Sequence, residues 1–160
     1  ASMDGQVGFI RETLDEEDFE RVGILACSVR YRSSYAQVSN PAVDGPDEVD
    51  RSAYQVDPAN VRDALREVEQ DVDEGADMVG VKPALAYLDV IHRMRDLTHL
   101  SIVGFSGSGE YQAIKAGAEK GWVDGEQAML ENLLAIKRAG AESIVTFHAF
   151  EAARALARGR

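Results

Sequence analysis

Twice in this chain a helix-like stretch ends in glycine, alanine and an acid, then runs at once into an apolar segment. The two places are Glu74-Gly-Ala-Asp-Met-Val79 and Ala139-Gly-Ala-Glu-Ser-Ile-Val145. Each reads as the return turn of an α-to-β connection, with glycine supplying the left-handed residue that closes a helix. Four apolar segments have strand length: Gly23–Cys27, Met78–Val81, Ser101–Phe105 and Ser143–Thr146. Between them apolar residues recur at helical spacing. Val61, Ala64, Leu65, Val68 and Val72 share one face, with Asp57 placed to cap that helix and Pro58 in its first turn. Met129, Leu130, Leu133, Leu134 and Lys137 repeat the pattern, with Asp124 and Gln127 spaced as a capping box and Gly140 as the stop. Strands that alternate with helices specify parallel βαβ units. Their repetition predicts an α/β chain of the (β/α)8 TIM-barrel type. Four βα units make about half of the roughly 250 residues which that fold takes.

Half a barrel leaves two open sheet edges and an uncovered core face, which are aggregation hazards. The chain begins Ala1-Ser-Met rather than with an initiator methionine, so the expectation is a fragment of a longer protein. The alternative is a second chain that completes the barrel. Its 160 residues fit one domain, 1–160. A formal charge of -11 argues against nucleic acid or anionic lipid as a partner. No run of eighteen apolar residues is present to span a membrane, and no secretory leader is expected. The single cysteine, Cys27, excludes an internal disulfide and a cysteine-rich zinc site made by this chain alone, as fits a reducing cytoplasm.

In such barrels chemistry sits at the carboxyl ends of the strands, and there one amine stands out. The chain has four lysines against thirteen arginines, and Lys115, Lys120 and Lys137 fall on helix surfaces. Lys82 alone directly follows an apolar strand and directly precedes a proline. An amine at the mouth of an apolar strand suits Schiff-base chemistry, because desolvation favours the neutral, nucleophilic form of a lysine. The competing reading is a lysine paired with a carboxylate at a strand end. Ser106-Gly-Ser-Gly-Glu-Tyr111 follows the third strand and enters a helix, making an anion site suited to carboxylate or phosphate. It is too short for a nucleotide fingerprint. His92, His99 and His148 lack metal-ligand spacing; His92 lies in an amphipathic helix, and His148 follows the fourth strand, where it would face a barrel mouth. Ser28 has no base near it in sequence. The aperiodic segment 31–57, rich in Ser, Asn, Pro, Asp and Gly, is either an active-site lid or a surface insertion.

Taken together, these segments resemble the porphobilinogen synthase (5-aminolevulinate dehydratase) family. Ser2-Met-Asp-Gly-Gln-Val7, Tyr54-Gln-Val-Asp-Pro-Ala-Asn60, Glu74-Gly-Ala-Asp-Met-Val-Gly-Val-Lys-Pro-Ala84, Tyr87-Leu-Asp89, Ser108-Gly-Glu-Tyr111 and Ile136-Lys-Arg-Ala-Gly-Ala141 follow its motifs in order. The likeness covers nearly the whole chain and corresponds to the C-terminal half of the family's barrel. It implies a lyase that condenses two molecules of 5-aminolevulinate into porphobilinogen for tetrapyrrole and heme synthesis, in the cytoplasm, as a homo-oligomer (octamer or hexamer). It assigns the Schiff base to Lys82 and the hold on that substrate's carboxylate to Ser108. Phe147 falls where the family's tyrosine supplies a second hydroxyl. Glu67 matches a glutamate that in some members joins an allosteric magnesium site.

The second substrate site departs from the pattern. Where the family has Ser-Ala-Lys, this chain has Ser28-Val-Arg30, and a guanidinium stays protonated and cannot form an imine. Tyr35-Ala-Gln-Val-Ser-Asn40 replaces a family segment that carries a carboxylate-binding arginine. Of a basic pair before Tyr54, Arg51 remains and Ser52 replaces its neighbour, while Gln55 is kept. The family's zinc cysteines belong to the other half of the barrel, so active-site zinc is unknown. These coordinated losses predict reduced pyrrole synthesis with imine formation kept at Lys82. Two alternatives stay open: a paralogue with one Schiff-base pocket acting on a single keto substrate, and a non-catalytic member that binds a ligand or an oligomeric partner.

Overall fold

Among the described residues four parallel strands form one sheet, in which each strand lies beside its neighbours in the sequence, β1-β2-β3-β4. The structure is a computed structural model and describes residues 3–36 and 54–159. The strands are β1 (Leu25–Arg30), β2 (Met78–Lys82), β3 (Ser101–Ser106) and β4 (Ser143–Thr146). The helices are α1 (Gln6–Glu16), α2 (Val61–Asp73), α3 (Leu88–Leu97), α4 (Ser108–Glu119), α5 (Gly125–Ala139) and α6 (Ala149–Arg158). This is the α/β arrangement that the alternating pattern predicts: about half of a (β/α)8 barrel, with β1 and β4 as its edges.

Alternation along the strands assigns the two faces. Val79, Val81 and Ile102 are buried against Ala64 and Val68 of α2, Val90, Ile91 and Met94 of α3, and Ile136 of α5. Each fully buried Val, Ile or Met among them contributes about 1.5–3 kcal/mol. The opposite pleat carries Leu25, Gly80, Lys82, Phe105 and Val145. In a closed barrel that face would be the interior. Here Leu25 is 38% and Val145 51% exposed.

The two Gly-Ala-acid turns fold as expected. Gly75 and Gly140 have φ of 97° and 128°, values at which a side chain would be strained. Asp124 caps α5 by accepting the N–H groups of Glu126 and Gln127, each at 3.0 Å. Leu134, placed by spacing on the apolar face of α5, is exposed instead, since Met129 and Ile136 carry the burial. The cap of α2 also differs. Asn60, not Asp57, accepts the Asp63 N–H at 3.1 Å, and α2 starts at Val61. Asp57 turns instead to the N–H of Ala59 at 2.8 Å, closing a turn around Pro58.

Strand β1 starts two residues later than its apolar run and extends to Arg30, beyond the expected end at Cys27. Pairing sustains the extension: Arg30 is held opposite Lys82, and the N–H of Val56 donates to the Arg30 carbonyl at 2.9 Å. No helix among the described residues is long and apolar enough to cross a membrane. The segment 31–57 falls largely outside the described residues, with 31–36 and 54–57 inside them.

Candidate active site

Lys82 is the last residue of β2, on the pleat that faces away from the helices, and the peptide bond to Pro83 is cis. Its backbone is pinned from both sides. The Lys82 carbonyl accepts the N–H of Tyr31 at 2.9 Å, and the N–H of Ala84 donates to the Phe105 carbonyl at 2.9 Å. Tyr31 is buried and stacked on Tyr87, with centroids 3.8 Å apart and planes 7° from parallel. Burial, with Asp89 next, pushes the Tyr31 hydroxyl well above the ordinary phenol range.

Arg30 reaches its place beside Lys82 through a register shift. Ala26 pairs with Val79 and Val29 with Val81, so β1 takes three steps where β2 takes two. The extra residue is a bulge, and it turns Arg30 rather than Val29 toward the lysine's neighbour position. The Arg30 guanidinium also sits 5.5 Å from the centroid of the Tyr54 ring. Cys27 lies in the field of both cations: burial pushes its thiol up, while Lys82 and then Arg30 pull it down.

A cleft of about 420 Å³ opens at this end of the sheet, lined by Lys82, Phe105, Ser106, Gly107, Val145, Thr146 and Phe147. Phe147 is exposed at its rim and brings no hydroxyl. Ser108 begins α4 immediately after the lining residue Gly107, as the strand-loop-helix reading predicts. Gln55 is half-buried in the segment that runs beside the end of β1. Arg51 lies outside the described residues.

Other candidates lie elsewhere. Glu67 is on α2, half-buried, with the Arg66 guanidinium 3.9 Å away; burial pushes its carboxyl up. Among the described residues no three His, Cys, Asp or Glu side chains gather to hold a metal ion. His148 does not face the mouth. It is buried behind β4, 4.5 Å from the Tyr111 ring, and lines a separate pocket of about 240 Å³ with Lys115, Met129 and Glu151. His92 is on the exposed side of α3, opposite Ile91 and Met94.

Sequence reasoning missed two residues. Glu110 accepts the N–H of Leu85 at 2.8 Å and that of Gly107 at 2.5 Å, tying the loops after β2 and β3. Its place three residues after the cap position Gly107 was the available signal. For Cys27 the sequence speaks only to disulfides and zinc, because strand pairing, not spacing, brings it near Lys82.

A lysine at a strand's carboxyl end, beside an arginine and close to a helix amino terminus, puts the candidate site where (β/α)-barrel proteins carry theirs. The comparisons narrow the class. The family model for delta-aminolevulinic acid dehydratase matches residues 1–155. The delta-aminolevulinic acid dehydratase of Synechocystis sp. is 49% identical over 153 residues, covering 95% of this chain and 47% of that protein. That of Streptomyces coelicolor is 47% identical over 154 residues, covering 96% and 47%. A crystal structure of the Toxoplasma gondii enzyme, delta-aminolevulinic acid dehydratase (porphobilinogen synthase) in complex with the reaction product porphobilinogen, superposes with a TM-score of 0.94. It is 43% identical and covers 99% of this chain and 46% of that one. The chain belongs to the delta-aminolevulinic acid dehydratase family, and it spans about half the length of the relatives it matches.

Proposed function

We propose that this chain forms the C-terminal half of a hydro-lyase barrel that condenses two molecules of 5-aminolevulinate into porphobilinogen, with Lys82 as the Schiff-base residue. The observation that carries the reading is the cleft at the carboxyl end of the sheet, where Lys82 stands opposite Arg30 in a member of this family. The neutral Nζ attacks the ketone carbon of the first substrate. The carbinolamine loses the ketone oxygen as water, leaving an imine whose nitrogen is Nζ. Ser108, at the start of α4, holds that substrate's carboxylate. Arg30 and Gln55, with Arg51, serve the carboxylate of the second substrate, and Phe147 closes the rim by apolar contact.

Arg30 binds an anion but forms no imine, so pyrrole formation is reduced relative to members with two lysines. The same observation favours a second reading, a paralogue that forms one imine with a single keto acid. Glu67 is proposed as a carboxylate ligand to an allosteric magnesium ion that keeps most of its water. Among the described residues no cluster of ligands gathers around it, so water would fill the remaining positions, and no catalytic step passes through it. The protein is read as a cytoplasmic homo-oligomer. Borohydride trapping with 5-aminolevulinate and peptide mass mapping tests the imine: reduction at Lys82 is the expected result, and an unmodified Lys82 would sink it. Porphobilinogen output equal to that of the Synechocystis relative would sink the reduced-activity part.

A further inference from the structure

One carboxylate joins the loop that follows Lys82 to the loop that precedes Ser108. Glu110 is buried, and its two oxygens are divided between the loops: one accepts the N–H of Leu85, the other the N–H of Gly107. Leu85 lies three residues past Lys82, and Gly107 directly precedes Ser108. Capping α4 would need only the Gly107 contact. The contact to Leu85, 25 residues earlier in the chain, is one that a helix cap alone does not require. The position also calls for a carboxylate. Both oxygens must accept, whereas a glutamine would offer one acceptor and turn its NH2 toward the other N–H. Burial pushes the Glu110 carboxyl up, and the Leu85 and Gly107 N–H groups oppose that shift. Burial prevails over the two donors, so the net shift is upward.

We propose that Glu110 is a positioning residue for the imine chemistry: its divided carboxylate locks the Lys82 loop to the start of α4 and so sets the separation between nucleophile and carboxylate-binding serine. It touches neither substrate nor reacting atoms. The proposal rests on the reading of Lys82 as the imine lysine. When the tie to Leu85 is lost, the loop after Lys82 keeps its Ala84–Phe105 hydrogen bond to β3 but loses its direct link to the start of α4. Imine formation therefore suffers more than substrate binding.

The test uses Glu110→Gln and Glu110→Asp in the protein as it occurs naturally. Glu110→Asp keeps the charge but is one methylene too short to reach both N–H groups, and it carries the test should Glu110→Gln not fold. Trapping by borohydride is followed at Lys82 against 5-aminolevulinate concentration, with amide exchange at Leu85 read alongside. A misplacement on the order of 1 Å costs up to about a hundredfold in rate. The saturating trapping rate should fall by at least about tenfold, the half-saturating concentration should change far less, and the Leu85 amide should exchange faster. Unmodified Lys82 in the unaltered protein would overturn the imine reading and this proposal with it. Trapping in the unaltered protein with equal rates in the folded variants would overturn the proposal alone. A lowered melting temperature with an unchanged trapping rate would likewise reduce Glu110 to a helix cap.

Discussion

Gly109, the second residue of α4, lies under the turn Ser34–Ala36 that follows β1, and replacing it with alanine separates site geometry from overall stability. A Cβ built at Gly109 would be 2.2 Å from the Tyr35 carbonyl oxygen and 2.7 Å from its carbonyl carbon and Cα. Ordinary contact begins near 3.4 Å, so one backbone must move by about 1.2 Å. The obstacle is main chain, and no rotamer change relieves it. Overpacking of this kind costs about 1–3 kcal/mol, while alanine gains up to about 1 kcal/mol over glycine within a helix. The net loss is therefore between roughly zero and about 3 kcal/mol, a fall in melting temperature of at most about 6–12 °C. The displacement, however, falls beside Ser108 and beside the loop joined to Tyr31. Gly109→Ala should thus remain folded, exchange its amides at 34–36 faster, and trap the imine at Lys82 more slowly by about ten- to a hundredfold. Thermal denaturation, site-resolved hydrogen exchange and borohydride trapping measure the three effects. Unchanged exchange and trapping would refute the claim that the Ser34–Ala36 turn is seated on Gly109.

Arg30→Lys places an amine opposite Lys82, and porphobilinogen formation should rise by at least about tenfold; no rise in a product assay would show that Arg30 is not what limits this chain. Glu74 accepts the N–H groups of Gly5 at 2.7 Å, Val7 at 3.1 Å and Gly8 at 3.2 Å, capping α1, whose own cap position is glycine. Burial raises its carboxyl, but the Gly5, Gly8, Gln70 and Val7 donors outweigh that and hold it below the ordinary 4.5. Its stabilisation is then present above that pH and lost as pH falls through the folded value. Glu74→Gln should cost about 1 kcal/mol at neutral pH, after allowance for solvent screening, and nothing in acid, as read from denaturant midpoints. Burial, opposed by Glu151 and aided by Lys115, lowers the His148 imidazole below its ordinary 6.5, and neither ring nitrogen has a hydrogen-bond partner among the described residues. Its contribution is present above that pH and lost as the solution is acidified through the folded value. His148→Phe should flatten the fall of melting temperature across this range, and an identical acid loss in the variant would discount His148 as its source.

The periodic part of this protein is legible in its amino-acid order alone. Apolar runs at strand length, helical spacing between them and two Gly-Ala-acid turns depend on contacts within a few residues, and the parallel sheet follows from them. Lys82 and the start of α4 at Ser108 were legible for the same reason, since each marks the end of a local element. The tertiary structure decided what sits beside what. A bulge in β1 brings Arg30 opposite Lys82 and leaves Cys27 in the field of both cations. The Val56 pairing carries β1 past its apolar run, and Asn60 takes the cap that spacing assigned to Asp57. His148 turns away from the mouth into the helix layer, and Glu110 spans two loops far apart in sequence. The physical reason is common to these cases. Propensity and periodicity are set by near neighbours along the chain, whereas register, burial and shared carboxylates are set by residues that only folding brings together.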